Sequence, residues 1–365
     1  MIINKLSLIN FKSYESLDID FSSKINCFVG NNGIGKTNIL DAIYYLSFCK
    51  SFFNPIDSQN IRFDQEFMLI QGDYEHESEN HHVHCGLKRN QKKVFKWNKA
   101  DYGKLAEHIG KIPLVIITPD DSELITEGSD KRRKFMDGVI AQYDPVYLDK
   151  LLQYNKALQQ RNALLKVFFK ERRYDQASME IWNVKLAELG EYLFNDRKKF
   201  IADLIPYFQE YYERISGGNE QVGINYLSHL EGNNLLDLFE SSRREDEMRT
   251  FTTKGIHKDD LEFTINGYPI KKFGSQGQQK SFLISLKLAQ LDFMSKKKGF
   301  APLLLLDDIF DKLDDQRVKQ MIELVGEDRF GQIFITDTSE QRIKSAVENV
   351  QGEVKIIDLT QIKNG

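Results

Sequence analysis

Gly30-Asn31-Asn32-Gly33-Ile34-Gly35-Lys36-Thr37 decides how this chain is read. The octet fits G-x-x-x-x-G-K-[ST] at every fixed position. The apolar run Ile25 to Val29 precedes it, as a buried strand would. Ile39, Leu40, Ile43 and Leu46 follow it at a helical period. Strand, glycine-rich turn and helix form the context such a loop requires. Gly30, Gly33 and Gly35 allow backbone turns that other residues resist, so loop N–H groups can converge on phosphate oxygens. The helix that starts near Lys36 adds the positive end of its dipole. Lys36 is expected to reach the β- and γ-phosphates, and Thr37 to ligate Mg²⁺. Asn31, Asn32, Ile34 and Asn38 complete the expected cradle for ATP.

Working outward, Leu303-Leu304-Leu305-Leu306-Asp307-Asp308 is an apolar run that ends in two carboxylates. A parallel strand buried on both faces has this pattern, and ligands gather at the carboxyl ends of such strands. Asp307 is expected to hold Mg²⁺ directly or through water. Asp308 is expected beside the γ-phosphate, orienting or deprotonating the attacking water. Between the two motifs lies Gly274-Ser275-Gln276-Gly277-Gln278-Gln279, just ahead of an amphipathic helical stretch. Ser275 with Gln278 has capping-box spacing. A capped glycine-bearing helix start is also an anion site. One helix terminus already serves the phosphates through Lys36, so this second one is free to serve a partner's nucleotide.

The remaining segments give the organisation. Alternation over residues 3–10 and 17–21 predicts strands, and residues 67–97 predict antiparallel hairpins. Lys111 to Thr118 is an apolar strand. From about residue 128 the period becomes helical: one stretch over 145–173, and a second over 178–212, breaking before Pro206. Asn266-Gly267 marks a hairpin. A helix over 277–296, the Pro302 to Leu306 strand, another helix, and strands at 332–336 and 354–359 follow. The fold class is α/β: a P-loop head with a mixed sheet and an antiparallel β subdomain, interrupted by a helical lobe. Residues 1–127 and 250–365 are assigned to the head, and 128–249 to the lobe.

Taken together, GNNGIGKTN, SQGQQ, LLLLDD and the following Phe310-Asp311-Lys312-Leu313-Asp314 resemble the ABC-type ATPase head of the SMC and RecF proteins. The opening IINKLSLINFKSYESLDIDF, the run Ser129 to Asp137 (SDKRRKFMD) and Gly255 to Leu261 (GIHKDDL) resemble the RecF branch, so the likeness spans nearly the whole chain. The resemblance implies two heads dimerising with two ATP molecules between them. Ser275 and Gly277, with Gln276 and Gln278, would then face the partner's γ-phosphate, and Asp311 and Asp314 would lie at the dimer interface. It implies DNA binding at gapped or single-strand/double-strand junctions. It further implies action with RecO and RecR in loading RecA during recombinational repair and the SOS response, in the cytoplasm. Asp308 stands where transporter ATPases usually carry glutamate, which fits slow hydrolysis. Thr336-Asp337-Thr338 leaves the switch position without histidine.

Composition narrows the alternatives. The chain has 365 residues, 28% charged and 41% hydrophobic, with 25 Phe and 15 Tyr, so it can bury a core and is not disordered. No apolar run approaches the roughly 18 residues of a membrane span, and the start does not read as a secretory signal. Cys27, Cys49 and Cys85 are too few for a disulfide scaffold and fit a reducing compartment. Lys and Arg total 50 against 54 Asp and Glu, a net charge of -4, so any nucleic-acid binding needs a local basic patch. Candidate patches are 131–134, 197–199 and 296–298. His81 to Cys85 reads as a solvated hairpin rather than a zinc site, and His257 with Asp259 and Asp260 as structural. A transporter ATPase subunit is disfavoured by the lobe. A nuclease or long SMC machine is disfavoured by the chain length.

Overall fold

The computed structural model describes residues 1–218, 220–309, 330–348, 350 and 352–361. Two compact units result. One comprises Met1–Ser122, Glu210–Asn219 and Gln276–Gly365; the other Glu123–Gln209 and Glu220–Ser275.

The first unit contains eight strands before the helical stretch: β1 (Ile2–Phe11), β2 (Tyr14–Asp20), β3 (Ile25–Val29), β4 (Phe67–His76), β5 (Glu79–Lys88), β6 (Val94–Trp97), β7 (Ala100–Asp101) and β8 (Leu114–Ile117). The second unit contains β9 (Val222–Leu227), β10 (Asp260–Ile265) and β11 (Tyr268–Pro269). The chain returns to the first with β12 (Leu303–Leu306), β13 (Ile333–Asp337) and β14 (Val354–Asp358).

Two sheets organise the first unit. Six antiparallel strands lie in the order β2-β1-β4-β5-β6-β7, and five strands in the order β14-β3-β13-β12-β8. Every pairing in the second sheet is parallel. Its strands read as continuous apolar runs because both faces are covered; β3 and β12 are buried at every position. The helix Lys36–Phe48 buries Ile39, Leu40, Ile43, Tyr45 and Leu46 completely, and these join one core with residues from both sheets. That explains why its apolar positions ring the helix instead of forming a stripe.

The second unit is built on the helices Ser129–Tyr143, Pro145–Glu171 and Gln176–Ser216, the last of which ends in the first unit's span. The expected break before Pro206 does not occur: the helix runs through it. Proline removes one donor there, but Leu204 and Phe208 on either side are fully buried, so packing outweighs the missing bond. The Asn266-Gly267 hairpin forms with both residues left-handed, and β10 pairs with β9 as well as β11. Residues 260–275 therefore fall with the helices of this unit.

Candidate nucleotide site

The parallel order sets the site. β3 leads into the phosphate loop and β12 ends at Asp307, and β13 lies hydrogen-bonded between them. Their carboxyl ends thus stand side by side, although 270 residues separate Thr37 from Asp307.

Within the loop, Gly30, Gly33 and Gly35 have φ of 148, 82 and 112. Gly35 also has no room for a side chain. A Cβ there would lie 2.6 Å from the Tyr14 hydroxyl and 3.0 Å from Ser13 Oγ. Nothing comes within 4 Å of a Cβ at Gly33, which marks the open side of the loop. The Lys36–Phe48 helix begins at Gly35 without a side-chain cap, leaving first-turn N–H groups for another acceptor. Lys36 is 4% exposed and donates from Nζ to the carbonyls of Gly30 (2.8 Å) and Asn31 (3.2 Å), so its charge is held at the loop's mouth. Asn31 also accepts from Ile34 N at 3.3 Å. Asn32 is exposed. Asn38 donates to Ser13 Oγ at 2.8 Å and ties the helix to the β1–β2 turn.

Thr37 Oγ1 donates to both carboxylate oxygens of Asp307, at 3.0 and 3.1 Å. Asp307 is 4% exposed, and burial raises its pKa above the usual carboxylate range against the opposing pull of the Thr336 and Thr37 hydrogen bonds. Thr336 is the residue that sequence reasoning missed. Its hydroxyl donates to Asp307 Oδ1 at 2.8 Å and accepts the Asp308 N–H at 2.9 Å. Asp308 itself is left-handed, with φ 44. One hydroxyl at the end of β13 therefore holds the Asp307 carboxylate and the Asp308 backbone. Only the strand order could reveal it, because Thr336 lies 29 residues from Asp307. Asp337 turns away and pairs with Arg342 at 3.0 Å.

Ser275 and Gln276 are exposed at the start of the Gln276–Lys298 helix, with Gly277 and Gln278 half-buried. Lys287 on that helix is buried and pairs with Asp121 at 2.6 Å, while donating to the Ile116 carbonyl. The helix is thereby tied to the carboxyl end of β8. Asp311 and Asp314 lie outside the described residues.

The candidate basic runs are mostly occupied. Lys131 pairs with Glu123, Arg132 with Asp260 at 2.6 Å, and Lys134 with Asp130 at 2.7 Å, while Arg133 donates to the Asp259 carbonyl at 2.7 Å. Arg197 is buried among Asp137, Asp259 and Tyr147. Lys198 pairs with Glu231 at 2.8 Å. Arg132, Arg133 and Arg197 serve the internal structure of the second unit because distant segments fold against them, whereas Lys131 and Lys134 pair with near neighbours at the surface. Lys297 sits over the Phe293 ring. His257 receives the Tyr154 hydroxyl and bonds the Thr252 carbonyl, and burial pushes its pKa down to about 4. No cluster of metal-ligating side chains occurs among the described residues, His81 to Cys85 included. The three cysteines are free and buried. No helix among the described residues is long and apolar enough to cross a membrane.

A glycine loop cradling a helix start, with an acidic strand end bonded to its threonine across one intervening parallel strand, defines the head of a P-loop ATPase. Residues 2–356 match the RecF/RecN/SMC N terminal domain family. The chain is 54% identical over 358 residues to the DNA replication and repair protein RecF of Phocaeicola vulgatus, covering 98% of this chain and 96% of that one. It is 50% identical to the RecF protein of Flavobacterium johnsoniae, covering 98% of this chain and 100% of that one. A solved structure of the recombination mediator protein RecF with ATP, of the RecFOR pathway, superposes with a TM-score of 0.86 at 32% identity, covering 93% of this chain and 92% of that one. The Smc head of Pyrococcus furiosus shares the fold, with a TM-score of 0.54 at 19% identity. The chain belongs to the RecF family of DNA replication and repair proteins.

Proposed function

We propose that this chain is an ATP-dependent DNA-binding protein of recombinational repair and replication-gap processing. The observation that carries the nucleotide half is the contact of Thr37 Oγ1 with both oxygens of Asp307 beside an uncapped helix start. These residues fit Mg-ATP. A hydroxyl and a carboxylate are hard oxygen donors of the kind Mg²⁺ selects, and the helix start is an anion site. Bound Mg²⁺ would neutralise charge on the phosphates.

The chain's own groups divide the work. The unpaired N–H groups of the loop and the first helical turn hold phosphate oxygens, and Lys36 exchanges its two carbonyl partners for them. Thr37 and Asp307 hold the cation. Thr336 orients the Asp307 carboxylate and anchors the Asp308 backbone. Asp308 orients the attacking water and accepts its proton. Its short side chain suits slow hydrolysis, which makes ATP a switch. Ser275, Gln276, Gly277 and Gln278 serve the nucleotide of a second copy, so ATP clamps two heads together. RecF relatives and the ATP-bound RecF structure support this reading. On the same grounds the dimer binds gapped or single-strand/double-strand junction DNA without sequence preference in the cytoplasm, and helps load RecA with RecO and RecR.

Light scattering on Asp308→Asn tests the clamp. With Mg-ATP the dimer should accumulate; with ADP or no nucleotide the chain should stay monomeric. A monomer at saturating ATP would overturn the proposal.

A further inference from the structure

Arg132 and Arg197 are consumed by largely buried ion pairs, and Lys131, Lys134 and Lys198 are paired at the surface, yet a chain of net charge -4 needs a local patch to hold a polyanion. Unpaired positive charge also lies on the six-stranded sheet. Residues 88–111 carry eight basic residues against two acidic ones. They run from the last residue of β5 through β6 and β7, at one edge of the six-stranded sheet, into the segment that follows β7.

Some of this charge is spent. Lys93 is tied to Asp57 at 2.7 Å, Lys96 to Asp101 at 3.5 Å, and Lys111 lies over Trp97 and Tyr102. Arg89 donates to the Gln65 carbonyl at 2.9 Å. Lys88, Lys92, Lys99 and Lys104 are exposed, and their side chains make no hydrogen bond or ion pair among the described residues. Two of them sit at turns. Lys92 is in the turn between β5 and β6, and Lys99 in the two-residue turn between β6 and β7. Asn98 and Lys99 are both left-handed, with φ 49 and 69. A two-residue hairpin of this kind favours glycine at the second position. A lysine there accepts backbone strain and puts an ammonium at the tip of the turn. The opposite edge of the same sheet, β2, carries Asp18 and Asp20, so the sheet has a basic and an acidic edge.

We infer that the β5–β7 edge, through Lys88, Lys92, Lys99 and Lys104, is a phosphate-backbone contact surface for duplex DNA. This rests on the DNA-binding reading above and names where that binding occurs. The turns flanking four-residue β6 are about 13 Å apart, a span of about four base-pair steps at 3.4 Å each. Lysine is a point-charge partner for phosphate and reads no base edge from there, so the surface is indifferent to sequence. A second protein chain is a poorer occupant: protein interfaces are depleted in lysine and centred on aromatic anchors, and the large exposed apolar residues of 88–111 are the aliphatic Val94 and Leu105.

The test is fluorescence anisotropy with the full chain, Mg-ATP and a gapped duplex across a salt series. The variants are Lys88, Lys92, Lys99 and Lys104 changed together to Gln, the same four changed to Arg, and a control with Lys156, Lys166, Lys170 and Lys185 changed to Gln. Both Gln sets take the net charge from -4 to -8. Each lost phosphate contact should flatten the salt dependence by about 0.9 in log–log slope. The edge Gln set should therefore lose about two to four units of slope and at least about tenfold in affinity at 100 mM salt. The Arg set should bind like the parent, and the control set should keep the parent's slope. An edge Gln set with the parent's slope, or a control set that loses as much, overturns the inference. So does an edge Gln set that loses ATP-driven dimerisation while keeping DNA affinity, which would assign the edge to a second copy. If the parent itself ignores DNA in every nucleotide state, the DNA-binding reading fails instead.

Discussion

Arg197→Met should destabilise the second unit without touching DNA directly. The Arg197 side chain is 2% exposed. Its guanidinium meets Asp137 at 2.9 and 3.1 Å, Asp259 at 2.9 Å, the Ile256 carbonyl at 2.8 Å and the Tyr147 hydroxyl at 3.1 Å. Asp259 is fully buried, and burial already raises its pKa despite the arginine beside it. Removing the guanidinium leaves a buried carboxylate uncompensated, a loss of about 3–5 kcal/mol. At roughly 2–4 °C per kcal/mol for a unit of this size, the melting point should fall by roughly 10 °C. Lysine should rescue little, since one ammonium cannot reproduce a fork shared by two acids. Arg197→Met with Asp259→Asn should recover part of the loss. The chain has two tryptophans, Trp97 in the first unit and Trp182 in the second, so Trp97→Phe and Trp182→Phe backgrounds report each unit separately. The Trp182 transition should move and the Trp97 transition should move less. A variant that melts like the parent yet loses DNA affinity would refute this reasoning and return Arg197 to the DNA surface.

Other outcomes follow from the site and from two buried histidines. Gly35→Ala places a Cβ 2.6 Å from the Tyr14 hydroxyl at a φ of 112, so ATP affinity by isothermal titration should drop at least tenfold, about 1–3 kcal/mol of strain. Thr336→Val removes the donor to Asp307 and the acceptor for the Asp308 N–H; turnover should fall about tenfold in a phosphate-release assay while ATP still binds. His108 and His257 are pushed by burial from 6.5 down to about 4, so the folded chain binds fewer protons than the unfolded one between those values. Their contribution is complete above pH 6.5 and is lost as pH falls towards 4. At pH 5 each should cost about 2 kcal/mol, read as a lower urea midpoint than at pH 7.5.

The nucleotide loop was legible because its chemistry is local. Glycines at 30, 33 and 35, Lys36 and Thr37 act within one turn, and their spacing is the signal. The buried parallel strand at 303–306 was legible because burial on both faces leaves an unbroken apolar run. What the tertiary structure alone decided depends on contacts between distant segments. Strand order brought Thr336 against Asp307 and Asp308, an arrangement no spacing encodes. Packing around Leu204 and Phe208 carried a helix through Pro206 against proline's local preference. The basic runs show the same limit. Arg132, Arg133 and Arg197 look like Lys88 or Lys99 in a sequence, since each is a cation among cations. Burial against Asp137, Asp259 and Asp260 spends the first group, and exposure at hairpin turns leaves the second open. Charge is written in the sequence, but whether it meets an internal acid or an outside phosphate depends on which segments the fold brings together.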